Sequence, residues 1–182
     1  MTKKFLLLTK YEWEVVVLFA LAILINVFWL HLPVIQICSL YVLGMCFEFA
    51  THGAWTYNPA LKDSPFSIPS IGANWIFGLG WVGNIVTSIA FGTWLGSLLG
   101  LTGVWMAIIG VGILGNIWER LFLWLQLWTY NPKHWIVNLW TSRPQLSDHG
   151  VPWAVTLGYP VMGFGVWYAL KGITFLTGMI HV

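Results

Sequence analysis

Charge is almost missing from this chain. Six acidic and eight basic residues are spread over 182 positions, 8% of the total. Soluble domains carry about a quarter. The composition is therefore not that of a water-soluble domain. The formal net charge of +2 is too small to suggest a nucleic-acid partner. Cysteine is scarce too. Cys38 and Cys46 lie eight positions apart in one apolar stretch, too far along a single helix to bond to each other. Several catalytic signatures are absent. There is no GxxxxGK[ST] and no HExxH, and no GxSxG elbow. The five histidines are scattered, without the spacing of a zinc or di-iron site. No metal and no cofactor is expected. The start, MTKKFLLLTKYEWE, has too short an apolar run for a signal peptide, so no cleavage is expected.

What the chain does have is apolar surface. It is 58% hydrophobic, with a mean hydropathy of +0.78. A membrane span needs about 20 mostly apolar residues. Five stretches fit, at about 13–30, 34–54, 74–95, 102–127 and 151–170. The residues after Lys171 are too few for a clear sixth. The expected fold is all-α: a single integral membrane domain over 1–182, a polytopic bundle of about five helices. Lys3, Lys4, Lys10, Lys62, Arg120, Lys133 and Arg143 fall on one face of such a bundle, and only Lys171 on the other. Basic residues mark the cytoplasmic side, so the N-terminus is expected there. The outer connections, HLP and the turn near Gly96 to Gly103, are short. The inner ones, 55–73 and 128–150, are long, and long loops tend to carry function.

Both inner loops open with the same five residues, WTYNP, at Trp55 to Pro59 and Trp128 to Pro132. Each follows an isolated acid, in GMCFEFATHGAWTYNP and GNIWERLFLWLQLWTYNP. Aligning Glu48 with Glu119 also pairs Leu43-Gly44 with Leu114-Gly115 and Phe47 with Trp118. Two tandem helical hairpins in one orientation would give this pattern, as in parallel membrane repeats. A plainer reading exists. Trp and Tyr settle at membrane interfaces, and Asn-Pro turns a chain out of helix. WTYNP is then an interfacial helix stop.

That reading leaves the acids unexplained. A charged acid at the centre of a span costs about 2.5–3.5 kcal/mol, and such residues usually face the bundle interior and serve a function. Helical spacing puts Tyr41, Gly44, Glu48, Thr51, His52 and Trp55 on one face, and Gly112, Gly115, Asn116, Glu119, Leu123 and Gln126 on another. Asn84, Thr87 and Ser88 add a third polar face. These faces suggest an inward-opening pocket between helices, walled by tryptophans. Removal from water favours the protonated carboxyl, the form a general acid needs. Plainer roles remain open: a local Glu48–His52 pair, or an acid that anchors a tryptophan Nε1–H. Glu12 and Glu14 read as solvated, at the membrane edge. Asp148, beside His149 in the second inner loop, is a candidate for the pocket mouth. Gly92, Gly96 and Gly100 read as a small-residue packing ridge, and Pro160 as a kink.

An intramembrane glutamate, a Trp/Tyr-rich stretch and a proline-tryptophan re-entry, in two copies, resemble the small integral-membrane enzymes of isoprenoid metabolism. These are the lycopene cyclase domain, the carotenoid hydratase-like membrane proteins and the membrane-bound meroterpenoid cyclases. The resemblance covers roughly residues 40–90 and 112–165. The adjacent glutamate pair of the lycopene cyclase domain is missing. The resemblance implies a terpenoid or carotenoid cyclase- or hydratase-like enzyme, working by acid–base chemistry without metal. Glu48 and Glu119 would protonate an alkene or epoxide in a cyclisation, hydration or isomerisation.

The expected catalytic pair is thus Glu119, beside Asn116, as proton donor, and Glu48, with His52, as proton acceptor or cation stabiliser. Trp55, Tyr57, Trp128 and Tyr130 would line the entrance, with Asn84 and Asp148 also in contact with substrate. Aromatic faces attract a desolvated cation by about 2 kcal/mol. The expected partners are a lipophilic small molecule and the lipid bilayer, with a homo-oligomer or larger membrane complex also open. The competing reading is a non-enzymatic subunit that binds a pigment, quinone or lipid, or braces a complex.

Overall fold

The computed structural model describes residues 8–62, 64–70, 72–138 and 151–180, with side chains as far as 176. The chain is mostly helical. Helices α1 (Lys10–Ile25), α2 (Val34–Ala50), α3 (Ile76–Leu99), α4 (Val104–Gly110), α5 (Asn116–Trp124) and α6 (Trp153–Ile180) make the bundle. Among the described residues, four short strands complete it, so the fold is not purely α: β1 (Trp55–Tyr57), β2 (Ser67–Ile68), β3 (Ala73–Asn74) and β4 (Trp128–Tyr130). Among the described residues, three helical runs are long and apolar enough to cross a membrane: Lys10–Leu30, Ile76–Leu99 and Val104–Trp124. Val34–Ala50 is apolar but shorter.

The helix ends differ from the sequence expectation for local reasons. α2 stops at Ala50 rather than near 54, because Gly53 takes a left-handed backbone (φ 84°) that ends a helix cheaply. α3 begins at Ile76, where the Asn74 side chain accepts from the Ile76 N–H at 2.9 Å. The expected fourth span is broken by a π-helical turn, Val111–Gly115, between α4 and α5. Such turns often mark functional sites. α6 carries Pro160 inside it and runs on to Ile180, beyond the expected end at 170. The short HLP turn is closed by Asn26, whose amide bonds both the N–H (2.8 Å) and the carbonyl (3.1 Å) of Leu32.

α3 is the central helix; 67% of its apolar window is buried, against 17% for α1. Its glycines let the neighbours approach. A Cβ on Gly83 would lie 2.6 Å from Leu18 of α1, and one on Gly92 would lie 2.0 Å from the Met106 carbonyl of α4. Gly96 also packs against Met106. Gly100 does not extend this ridge; it is the left-handed cap of α3 (φ 68°), with open space around it. Cys38 and Cys46 are free and exposed.

One sequence reading is overturned at the start of α1. Glu12 is fully buried, not solvated. Thr9 and Glu12 form a reciprocal capping box, which turns the carboxylate back over the first helical turn. The loop after β1 then closes on it. The Ser64 hydroxyl and the Asn74 amide both donate to Glu12 Oε1, the latter at 2.6 Å. Glu14 is the more accessible of the two and pairs with Lys10 at 3.9 Å.

Candidate functional site

The two WTYNP segments pair with each other. β1 and β4 run antiparallel, with Trp55 opposite Tyr130, Thr56 opposite Thr129 and Tyr57 opposite Trp128. Alternate strand residues face one side. In each copy the threonine is exposed and the Trp and Tyr turn inward. The asparagines lock the pair reciprocally. Asn58 donates from its backbone to Leu127 (2.8 Å) and from its side chain to the Gln126 carbonyl (2.9 Å). Asn131 donates likewise to Ala54 (2.8 Å) and to the Gly53 carbonyl (2.9 Å). The side-chain acceptors are the two residues at equivalent left-handed positions, Gly53 and Gln126 (φ 61°).

The inward-facing Trp and Tyr of each strand reach the acid of their own copy. Glu48 accepts from Trp55 Nε1 (3.2 Å) and the Tyr57 hydroxyl on Oε2, and from Trp81 Nε1 of α3 (2.8 Å) on Oε1. Glu119 accepts from Trp128 Nε1 (2.9 Å) and the Tyr130 hydroxyl on Oε1, and meets the Tyr159 hydroxyl of α6 at 2.5 Å on Oε2. So each acid takes two donors from its strand and a third from the next helix. A glycine one turn earlier allows that third contact. A Cβ on Gly44 would lie 2.4 Å from Trp81, and one on Gly115 would lie 2.4 Å from Tyr159.

Both acids line one cavity of about 270 Å³, close to the lower end of the usual ligand-pocket range. Its wall is largely aromatic and aliphatic. Phe77 stacks on Tyr57 with centroids 4.5 Å apart, and Phe122 packs on Trp128 at 5.3 Å. Two lining residues also reach the outer surface of the bundle: Phe47 of α2 and Val161 of α6, the latter 64% exposed. The phenols of Tyr57 and Tyr130 are held well above the usual tyrosine value, chiefly by burial. They therefore stay protonated and keep donating at neutral pH.

Of the residues singled out in the sequence, Glu48, Glu119, Trp55, Tyr57, Asn84, Trp128 and Tyr130 all line the cavity. Two others lie elsewhere. His52 is exposed in the turn after α2; the helix ends before it, so the helical face that joined it to Glu48 does not form. Trp55 reaches Glu48 by the fold-back of β1 instead. Asn116 ties α5 to α6, donating to the Gly112 carbonyl (2.7 Å) and the Thr156 carbonyl (3.0 Å). Asp148 lies outside the described residues. Thr87 serves packing, accepting from Trp118 Nε1 at 3.0 Å. Trp81 and Tyr159 escaped the sequence reading. Trp81 sits three residues before Asn84, on the same helical face, which was a usable signal. Tyr159 had none beyond its place beside Pro160. Among the described residues, no three His, Cys, Asp or Glu side chains gather as metal ligands. No protein-family model matches this chain, and neither a curated protein nor a solved structure matches it.

Proposed function

We propose that the protein is an intramembrane enzyme that acts on a lipophilic isoprenoid. One observation carries this reading: two carboxyl groups stand on the wall of a single cavity that is otherwise largely aromatic and apolar. One carboxyl gives its hydrogen to an alkene carbon or epoxide oxygen of the substrate. For an alkene, the π pair becomes the new C–H bond and a cation remains on the adjacent carbon. The aromatic faces stabilise that cation. Loss of a neighbouring proton to the other carboxylate completes a cyclisation or isomerisation, and capture of water, with loss of its extra proton to that carboxylate, completes a hydration. The resemblance to isoprenoid-metabolising membrane enzymes supports the substrate class.

The same reading takes the five long helical segments as spans, with the N-terminus in the cytoplasm. It takes the two hairpins as an internal repeat. The reciprocal Asn58 and Asn131 bonds and the matched Trp-x-Tyr donors support the repeat. The basic residues Lys62 and Lys133, both just after WTYNP, support the orientation.

The test is conversion of an isoprenoid-rich membrane lipid extract by the purified protein and by its Glu48→Gln and Glu119→Gln variants, followed by mass spectrometry. Loss of conversion in a folded variant is expected. Full conversion by both folded variants overturns the mechanism.

A second reading has an observation of its own. Each acid is already bonded to three partners within the protein, so it also serves as the anchor of a strand pair. A pigment-, quinone- or lipid-binding subunit needs no more than that. Gentle purification discriminates: a stoichiometric pigment or partner in the mass and absorption spectrum favours binding.

A further inference from the structure

The two acids match in number of partners but not in kind. An indole N–H only donates, whereas a hydroxyl both donates and accepts. Each oxygen of Glu48 faces an indole: Trp81 on Oε1 and Trp55 on Oε2. A hydrogen on Oε1 would find no acceptor in Trp81. On Oε2 the other partner is the Tyr57 hydroxyl, which itself accepts from Trp55 Nε1 and so turns its own hydrogen toward Glu48. Glu48 is thus surrounded by groups suited to a carboxylate.

Glu119 differs at one atom. Its Oε1 takes Trp128 and Tyr130, but among the described residues Oε2 meets only the Tyr159 hydroxyl, at 2.5 Å. That oxygen can carry a hydrogen, because its partner can accept it. Arg120 makes no hydrogen bond to that oxygen; its guanidinium is held by the Asn116 carbonyl and side-chain oxygen, each at 3.0 Å. Tyr159 is buried and lines the cavity.

We propose that Glu119 and Tyr159 form the proton-delivering pair of the cavity, while Glu48 remains the carboxylate. The direction of delivery rests on the enzymatic reading above; the assignment of the hydrogen does not. In turnover the Glu119 Oε2 hydrogen passes to the Tyr159 oxygen as the Tyr159 hydrogen passes to the substrate alkene carbon. The π pair forms the C–H bond, Glu119 is left as a carboxylate, and Tyr159 is again a neutral phenol. Glu48 faces the resulting cation and takes the proton lost at the end. Water returns a proton to Glu119 and removes one from Glu48.

The experiment is infrared spectroscopy of the full chain in lipid nanodiscs, in water and in deuterium oxide, with no substrate added. A protonated-carboxyl C=O stretch that shifts in deuterium oxide is expected. It should vanish in Glu119→Gln, persist in Glu48→Gln, and move to higher frequency in Tyr159→Phe, which removes its hydrogen-bond partner. Trp81→Phe should leave it unmoved. No such band in the unaltered protein, loss of the band in Glu48→Gln alone, or an unmoved band in Tyr159→Phe overturns the proposal. If Glu119→Gln does not fold, the Tyr159→Phe and Glu48→Gln spectra decide. If the bands behave as expected yet the unaltered protein converts no isoprenoid, the enzymatic reading fails and the proton assignment stands.

Discussion

Asn58 and Asn131 each reach across the β1–β4 pair to the carbonyl of the left-handed residue in the other copy, Asn58 to Gln126 at 2.9 Å and Asn131 to Gly53 at 2.9 Å. These bonds hold the strands in the one register that turns both Trp-x-Tyr pairs inward. A net hydrogen bond contributes about 0.5–1.5 kcal/mol, more where a buried group is left unpaired. Asn131→Ala should lower the melting temperature in detergent more than Asn58→Ala, because the Asn131 bond is part-buried and the Asn58 bond is exposed. Equal losses would count against this account.

Gly44 and Gly115 should tolerate no side chain. A methyl at Gly44 would lie 2.4 Å from the Trp81 Cβ and 2.6 Å from its ring, and one at Gly115 would lie 2.4 Å from the Tyr159 ring. Overpacking of this kind costs about 1–3 kcal/mol. Gly44→Ala and Gly115→Ala should therefore melt earlier and lose cavity function together. Gly158→Ala, with nothing within 4 Å of its Cβ, should melt like the unaltered protein. Thermal unfolding of the three variants side by side checks the contrast.

Glu12 should matter for stability and not for chemistry. Its Oε1 accepts from Ser64 and Asn74, and its Oε2 from the Thr9 N–H at 2.7 Å. Glu12→Ala leaves those donors unpaired and removes half of a capping box, a loss of about 1–3 kcal/mol. Glu12→Gln keeps the shape and should lose less. Neither should abolish ligand retention at temperatures where the variant is folded. A Glu12→Gln protein that is stable yet inactive would place Glu12 in the site instead.

Val161 is both on the cavity wall and exposed on the outer face of α6. A bulky side chain there should narrow the opening without disturbing the core. Val161→Trp should keep its melting temperature and lose most of any co-purified or converted lipophilic ligand. Leu98→Trp, at an exposed position of α3 away from the cavity, is the control. Equal ligand content in both would show that entry lies elsewhere.

Much of the site was legible because the chain writes it twice. The repeat of Glu, Trp and Tyr at matched positions pointed to Glu48 and Glu119, and period-two spacing explains why Trp and Tyr flank a threonine. Helical spacing failed where the helix had already ended. His52 was placed beside Glu48 by a periodicity that Gly53 interrupts, and the true partner, Trp55, arrives along a strand. Glu12 was misread because exposure was inferred from its position in the chain. The Thr9-to-Glu12 capping pattern was visible, but the loop that covers the carboxylate comes from 52 residues away.

The sequence by itself determined an apolar, mostly helical chain with two isolated acids, each followed by the same strand-forming phrase. Those are local properties, set by composition and by the periods of helix and strand. Only the tertiary structure decided which third donor each acid receives. Trp81 and Tyr159 come from helices that dock at Gly44 and Gly115, and docking depends on which small residues meet across the bundle. That meeting gives Glu48 an indole and Glu119 a hydroxyl, the one difference between two otherwise matched carboxyl groups.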